Sequence, residues 1–447
     1  MRRGHRGPDS RIFEAHESGV RSYCRRFPAV FSSAQGARIT DEEGREYIDF
    51  FCGAGALNYG HNDPRIKEAI VEYLQTDGLV QSLDLYTPAK RAFLNRFARE
   101  ILEPRGYDYK IQFSGPAGTN AIEAALKLAR KATGRREVVA FSNAFHGMSL
   151  GALGVSARAW KRQSAGTPLD GVIRMPFDGF LGENVDSIDV IETMLFRAGS
   201  GLDLPAAFIL ETVQAEGGLN VASATWLRRL AELARAHGIL LVVDDIQAGC
   251  GRVGTFFSFE EAGIQPDLVC LSKSISGFGM PMSLVLIRPE LDLWDAGEHN
   301  ATFRGNNLAF VGATAALSYW GDEGFRASLS RHEAQIARHL AAIHAAHPGI
   351  VGAVRGRGML QGLVFSVPQH AADVSRAAFD LGLIVELCGA RDDVVKVMPP
   401  LTIDDATLEA GLKRLGQAVN EVARMAAPLP ATSPDASREC QESVHDA

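Results

Sequence analysis

The chain has few of the features that hold small or metal-dependent proteins together. Its six cysteines are scattered at positions 24, 52, 250, 270, 388 and 440 of 447 residues. They form no C-x-x-C pair and no close cluster with histidine, which argues against a disulfide framework and against a zinc module. A chain of this length can bury a large core without such links. We therefore expect no metal site and a reducing compartment.

Long apolar runs and an excess of positive charge are also missing. The longest aliphatic runs, such as Ile239–Val243, are far shorter than the ~20 residues that cross a bilayer. The basic N-terminus is not followed by the apolar stretch of a secretory signal. Lys and Arg number 46 against 53 Asp and Glu, a net charge of −7, which argues against binding of nucleic acid or anionic membranes. We expect a cytoplasmic protein.

Helical and strand-like segments alternate along most of the chain. Short, uniformly apolar segments are typical of strands buried on both faces of a sheet that helices cover. The pattern predicts an α/β fold with a large domain over residues 61–308 and a smaller α+β domain over residues 309–425. Residues 1–60 are expected to join the small domain, in which a short strand is expected near Ile384–Glu386. Residues 426–447, rich in Pro, Ser and acidic side chains, are expected to be a disordered tail.

Chemically useful side chains follow the apolar strands. Asp244 comes after one predicted strand, Lys273 after the next, and Glu211 after a third. A glycine-rich loop over residues 114–119 leads into a predicted helix, whose free N–H groups suit a phosphate. Because ligands of open α/β sheets bind at the carboxyl ends of the strands, these groups predict a site at one edge.

Each of these features alone has an ordinary structural explanation. The glycine-rich loop could be a plain strand–helix connection, Lys273 a surface lysine, Asp244 a helix cap and Phe145 a core residue. Residues 249–254 match G-x-G-x-x-G, but no helix pattern follows them. The dinucleotide interpretation of that motif is therefore rejected on context.

In combination and in order, the motifs are much more specific than any one of them. They are Gly118-Thr119, Phe145-His146-Gly147, Glu211–Gly218, Asp244–Gly249, Ser272-Lys273, Thr302–Asn306 and Arg355–Gly358. Over residues 12 to 424 the chain resembles the class III aminotransferases. The resemblance implies a pyridoxal 5′-phosphate-dependent transferase of fold type I, with amino acids and oxo acids as substrates. It also implies a homodimer, or a higher homo-oligomer, with shared active sites.

The resemblance further implies a role for each matching residue. Lys273 is expected to form the Schiff base with the cofactor and to move the proton, and Asp244 to pair with the pyridinium nitrogen. The other expected cofactor contacts are Gly118, Thr119, Phe145, His146, Gln247 and, toward the neighbouring subunit, Thr302. Glu211 and Glu216 match two acids near the cofactor in this family.

Departures from the family pattern bear on the substrate. Lys396 stands where many members carry an arginine that pairs with the acid matching Glu216, and lysine cannot form the same two-pronged contact. Arg304 replaces a glycine and is a candidate contact to a substrate carboxylate, with an interface salt bridge as the equal alternative.

Several phrases, including Arg21–Cys24 and Asp49–His61, resemble the diaminobutyrate–2-oxoglutarate aminotransferases within the family. The implied reaction converts L-glutamate and L-aspartate 4-semialdehyde to 2-oxoglutarate and L-2,4-diaminobutyrate. Fold alone leaves other reactions open. They are transamination of ornithine, lysine or 4-aminobutyrate, epimerisation and decarboxylation, and, more remotely, a non-catalytic binding role.

Overall fold

The computed structural model describes residues 10–182 and 184–426, and strands and helices occur throughout both ranges. The strands are β1 Phe31–Gln35, β2 Arg38–Asp41, β3 Glu46–Asp49, β4 Lys110–Gly115, β5 Val138–Phe141, β6 Val172–Met175, β7 Ala207–Leu210, β8 Val213–Gln214, β9 Asn220–Val221, β10 Leu240–Asp244, β11 Leu268–Leu271, β12 Ser283–Ile287, β13 Val351–Arg357, β14 Leu360–Phe365, β15 Leu383–Ile384, β16 Glu386–Cys388 and β17 Val394–Val397. The α-helices are α1 Ser10–His16, α2 Tyr23–Arg26, α3 Cys52–Gly55, α4 Pro64–Gln75, α5 Pro88–Phe97, α6 Gly118–Thr133, α7 Leu150–Val155, α8 Ala159–Gln163, α9 Ser187–Phe196, α10 Ala224–Ala236, α11 Asn307–Leu317, α12 Glu323–Ala346, α13 Pro368–Asp380 and α14 Asp405–Ala426.

The centre of the molecule is a seven-stranded mixed sheet. Its strand order is β4-β12-β11-β10-β7-β5-β6. β12 is antiparallel to both of its neighbours, and the other adjacent pairs are parallel. All residues of β5, β7, β11 and β12 are buried, which explains why these segments are apolar without alternation. The predicted α/β fold is confirmed.

Helix α6 shows how the sequence pattern becomes packing. Its apolar stripe includes Ile122, Leu126 and Ala129, which are buried against the central sheet. The helix ends at Gly134, which adopts φ +67°. A residue with a Cβ is strained in that left-handed conformation, so glycine is the natural terminator.

There are two four-stranded sheets, and one of them joins the two ends of the chain. One is antiparallel, with the order β13-β14-β17-β16. The other has the order β1-β2-β3-β15, and its last strand pairs in parallel with β3. The N-terminal segment is thus hydrogen-bonded to a strand near residue 384. The division into domains at residues 60, 308 and 425 stays a prediction.

Two expectations about the later part of the chain need correction. The predicted strand Ile384–Glu386 is two strands, because Ile384 pairs with Asp49 in one sheet and Glu386 pairs with Lys396 in another. Helix α14 continues through Ala426, one residue into the predicted tail. The rest of that tail, 427–447, lies outside the described residues. In the described part, no helix is long and apolar enough to cross a bilayer.

The rejected glycine motif has a structural role. Residues 249–254 form turns, and Arg252 within them is fully buried. Its guanidinium donates to Asn58 Oδ1 at 2.7 Å, to the Met359 carbonyl at 3.1 Å and to the Pro399 carbonyl at 2.5 Å. The motif therefore links the segments around Asn58, Met359 and Pro399 through the hydrogen bonds of Arg252.

Candidate active site

A cavity of about 160 Å³ opens at the carboxyl ends of the central strands. Its walls contain nine of the predicted site residues: Gly118, Thr119, Phe145, His146, Glu211, Glu216, Asp244, Gln247 and Lys273. Gly147 and Ile246 complete the lining. The topology brings these groups together because β5, β7, β10 and β11 run in the same direction and end at the same edge.

Gly118 forms a close-fitting corner of this cavity. A Cβ at this position would lie 3.0 Å from Ile246 Cδ1 and 3.5 Å from Ser272 Cβ. It is also the first residue of α6, and the preceding residue, Ala117, has no polar side chain to cap the first N–H groups. A narrow space at an uncapped helix start fits a phosphate group.

Asp244 is held from two sides at the end of β10. Its Oδ2 lies 2.7 Å from His146 Nδ1, and its Oδ1 accepts the Ile246 N–H at 3.2 Å. Burial acts to lower the pKa of His146, but the hydrogen bond and charge of Asp244 outweigh it and raise that pKa. Among the described residues, His146 Nε2 has no partner although it is buried. A buried carboxylate held in a fixed orientation suits a cationic ring nitrogen of a bound ligand.

Lys273 follows β11 in a strained conformation. Its φ is +51°, which places a residue with a side chain in the left-handed region, at a cost of roughly 1–2 kcal/mol. Burial lowers the pKa of its amine, and the nearby charge of Glu216 only partly offsets that effect. A lowered pKa leaves more of the amine unprotonated and able to attack a carbonyl carbon.

Lys396, on β17, has the opposite electrostatic environment. Its side chain is fully buried, and its Nζ lies 2.6 Å from Glu216 Oε1 and 2.8 Å from Glu386 Oε2. Burial acts to lower its pKa, but Glu216 and Glu386 outweigh burial and raise it well above its usual value. The site thus contains one lysine whose amine pKa is lowered and one whose amine pKa is raised.

The two acids expected near the cofactor differ as well. Glu211 accepts the Phe145 N–H at 2.9 Å, and burial raises its pKa to about 8. Burial also acts to raise the pKa of Glu216, but Lys396, followed by Lys273, outweighs burial and lowers it to about 2. Burial thus favours the protonated form of Glu211, whereas the two lysines favour the ionised form of Glu216.

Gln247 is positioned by a left-handed turn. Its Nε2 donates to the Ala54 carbonyl at 2.8 Å, and its Oε1 lies 3.5 Å from Lys396 Nζ. The turn is α3, in which Cys52, Gly53 and Ala54 have φ of +50°, +56° and +56°. Strain of this kind concentrates at functional sites.

Thr302 and Arg304 lie apart from the other predicted residues. They occupy a short 3₁₀ turn and do not line the cavity. The Thr302 carbonyl accepts a hydrogen bond from the Gln81 side chain, and Arg304 forms an ion pair with Asp84. Phe303 between them is 63% exposed.

Sequence reasoning missed two residues that support the site. Glu386 is buried beside Lys396, and Tyr23 donates from its hydroxyl to Glu386 Oε1 at 2.8 Å. An acidic residue inside the apolar stretch 383–388 was the available signal for Glu386. Tyr23 had no comparable signal, because it lies 363 residues away from its partner.

Comparison with known proteins identifies the family. The model of the aminotransferase class-III family matches residues 21–419. The chain belongs to the class III aminotransferases. It is similar to the diaminobutyrate–2-oxoglutarate transaminase of Halalkalibacterium halodurans, with 53% identity over 92% of this chain and 96% of that protein. The enzyme of the same name from Streptomyces anulatus is 55% identical over 93% of this chain and 99% of its own length.

Solved structures of two aminotransferases have the same fold. The ornithine aminotransferase of Toxoplasma gondii has a TM-score of 0.81 at 27% identity, covering 93% of this chain and 95% of that one. The N-acetylornithine aminotransferase of Stenotrophomonas maltophilia has a TM-score of 0.71 at 30% identity, covering 90% of this chain and 99% of that one.

The cofactor of this class III aminotransferase is pyridoxal 5′-phosphate, and the residues present fit it. The corner at Gly118 fits the phosphate, Asp244, held by His146, fits the charged ring, and the Lys273 amine fits the aldehyde. When bound, this cofactor supplies an electrophilic carbon for the substrate amine and a ring that withdraws electrons.

Proposed function

We propose that this aminotransferase moves the amino group of L-glutamate to L-aspartate 4-semialdehyde, which gives 2-oxoglutarate and L-2,4-diaminobutyrate. The observation that carries the proposal is the buried cation Lys396 directly behind Glu216, at the wall of the cavity that also contains Lys273. A fixed ammonium fits substrates that bear carboxylates. Relatives with 53–55% identity over more than nine-tenths of this chain carry the corresponding name.

In this proposal Lys273 holds the cofactor and then moves the proton at the reacting carbon of the substrate. Its lowered pKa supports both roles, because an unprotonated amine is needed to attack and to accept a proton. Asp244 keeps the ring nitrogen of the cofactor protonated, and the contact with His146 that orients its carboxylate supports this role. Phe145 covers the ring, and Gly118 and Thr119 bind the phosphate. Gln247 contacts the ring oxygen, and Glu211 lies near the ring.

The proposed active form is a homodimer in which Thr302 reaches the phosphate of the neighbouring subunit. An exposed apolar face near Thr302 supports it: Leu85, Tyr86 and Phe303 are 60%, 100% and 63% exposed. Light scattering on the protein as it elutes from a size-exclusion column should give twice the mass of the monomer. A monomer that is fully active would exclude active sites shared between subunits. A cytoplasmic location is part of the proposal, supported by the free thiols of the described cysteines.

Arg304 is proposed as a contact to a substrate carboxylate in that assembly. Its ion pair with Asp84 supports the purely structural alternative. Unchanged glutamate turnover in the variant Arg304→Gly would exclude the substrate contact.

The test of the reaction is an absorbance spectrum of the purified holoenzyme before and after each amino acid is added. Excess L-glutamate should remove the visible band of the lysine-bound cofactor, and L-2,4-diaminobutyrate should do the same. A band that neither compound changes would overturn the proposal and favour the related epimerase or decarboxylase reactions. Loss with ornithine, lysine or 4-aminobutyrate instead would reassign the substrate.

A further inference from the structure

Helix α3 is a tight left-handed turn that lies between β3 and α4. Its residues Cys52, Gly53 and Ala54 have φ of +50°, +56° and +56°. Only one of the three is a glycine, and a residue with a Cβ is disfavoured in this region. The conformation therefore has to be imposed by contacts with the surrounding structure.

The carboxylate of Asp49, the last residue of β3, makes such contacts. Its Oδ1 accepts the N–H groups of Phe51 and Cys52 at 2.8 and 3.0 Å. Its Oδ2 lies 2.8 Å from His61 Nε2, and the Asp49 side chain is 1% exposed. A buried carboxylate thus fixes the start of the turn.

The far side of the same turn holds Gln247 and the residue that follows Lys273. The Ala54 carbonyl accepts an N–H of the Gln247 side chain at 2.8 Å. The Gly55 carbonyl accepts the hydroxyl of Ser274, the next residue after Lys273, at 2.6 Å. The turn also packs on Gln247, since a Cβ on Gly55 would lie 3.4 Å from Gln247 Cγ. A change in the turn would therefore displace both contacts.

The contact with Ala54 also sets the direction in which the amide of Gln247 faces. A carbonyl accepts only from a donor, so the Gln247 nitrogen points to the turn. Its Oε1 lies 3.5 Å from Lys396 Nζ, which agrees with that orientation. An amide nitrogen carries two protons. Ala54 accepts one of them, and the second is left for the ring oxygen of the cofactor.

We infer that Asp49 is a positioning residue whose carboxylate holds α3 left-handed, so that α3 orients the Gln247 amide toward the cofactor. The inference rests on the proposed contact of Gln247 with the ring oxygen. When that donor is displaced, more negative charge stays on the ring oxygen, which favours the protonated form of the nitrogen that joins Lys273 to the cofactor. Asp49 does not line the cavity, so its effect has to pass through the turn.

The test measures cofactor binding to wild type, Asp49→Ala, Gln247→Leu and the double variant, by fluorescence titration of the cofactor-free proteins. Each single substitution should raise the dissociation constant of pyridoxal 5′-phosphate about 3–10-fold, the loss expected for one hydrogen bond. Each should also raise the pKa of the lysine-bound cofactor, which is read from its visible band. In the Gln247→Leu background, Asp49→Ala should change the dissociation constant by less than about twofold.

Asp41→Ala is the matched control. Asp41 is also a buried aspartate at the end of a strand, and its Oδ1 accepts the N–H groups of Glu43 and Arg45 at 3.1 and 2.8 Å. None of the residues in that turn lines the cavity. Asp41→Ala should lower the unfolding temperature and leave both cofactor readouts unchanged.

Two further variants separate the role of the carboxylate from a general loss of packing. Asp49→Asn keeps an oxygen for the two N–H groups, so it should lose less cofactor affinity than Asp49→Ala. His61→Leu removes only the partner of Oδ2 and should give a smaller loss of the same kind. If Asp49→Ala does not fold, His61→Leu takes its place in the comparison with Gln247→Leu.

Three results are decisive. A loss in Asp49→Ala that disappears in the Gln247→Leu background supports the inference. No loss, a loss of equal size in both backgrounds, or the same loss in Asp41→Ala overturns it and leaves the proposed function standing. A Gln247→Leu protein that binds the cofactor as wild type does overturns the proposed ring-oxygen contact, and the inference with it.

Discussion

His146 Nδ1 lies 2.7 Å from Asp244 Oδ2, and both side chains are buried. The imidazole ring of His146 therefore orients the carboxylate that the site presents to its ligand.

Asp244→Asn should keep the contact and remove the charge, so the half-reaction with L-glutamate should slow by at least about 100-fold. Stopped-flow absorbance measures it. His146→Gln, which can still donate to Asp244, should slow it less than His146→Leu, and equal effects would contradict the orienting role.

Lys396 should not replace Lys273 as the point of cofactor attachment when Lys273 is removed. Lys273→Ala should lower turnover at least about 10³-fold, because proton transfer alone contributes 10²–10⁴. Borohydride reduction followed by peptide mapping should then find no cofactor attached to the chain, since Lys396 is held as a cation by two carboxylates. Lys413→Ala, which removes an exposed lysine paired with Glu409, is the control. A cofactor adduct on Lys396 would contradict the assigned division of roles.

Asp245 should make stability depend on pH. Burial raises its pKa from the usual 3.8 to about 7, and the described residues provide no partner for Oδ1. The folded state therefore binds more protons than the unfolded state between these values, so the free energy of unfolding falls as pH rises through that range. Asp245→Asn should be more stable than wild type at pH 8, by roughly 2–4 kcal/mol, and lose that advantage toward pH 4.

Denaturant unfolding of the cofactor-free protein at several pH values measures the effect of Asp245→Asn. Glu290→Gln, which changes an exposed carboxylate paired with Arg288, serves as the control. An advantage of the asparagine variant that is the same at pH 5 and pH 8 would show that Asp245 does not titrate in this range.

Two glycines of α14 should give opposite results. A Cβ on Gly411 would lie 2.3 Å from Phe50 Cζ, whereas the nearest atom to a Cβ on Gly416 is Ile343 Cδ1 at 3.8 Å. Gly411→Ala should lose about 1–3 kcal/mol through overpacking. Gly416→Ala should gain about 0.5–1 kcal/mol, because alanine favours a helix. Denaturant titration measures both, and a stabilised Gly411→Ala would show that Phe50 can move.

The sequence predicts the part of the site that the central sheet builds. Asp244 and Lys273 follow uniformly apolar strands, and parallel strands bring their carboxyl ends to one edge. The pattern of each strand therefore predicts the position of the functional residue at its carboxyl end. The helix start at Gly118 is predictable in the same way, from a glycine-rich loop before an apolar helical stripe.

The support behind Glu216 could not be predicted in this way. The chain changes sheets between Ile384 and Glu386, so a single apolar stretch hides two strands with different partners. Only the register of β16 against β17 brings Glu386 opposite Lys396, and no residue pattern specifies that register. The same limit explains why Ile384–Glu386 was predicted as one strand.

The hydrogen bond from Tyr23 to Glu386 spans 363 residues, which has a consequence during synthesis. A ribosome adds about 5–20 residues per second, so roughly 20–70 s separate the appearance of the tyrosine from that of its partner. During that interval the N-terminal segment also lacks β15, the strand that completes its sheet. Until residues 383–384 have been translated, β3 keeps an unpaired edge to which chaperones can bind.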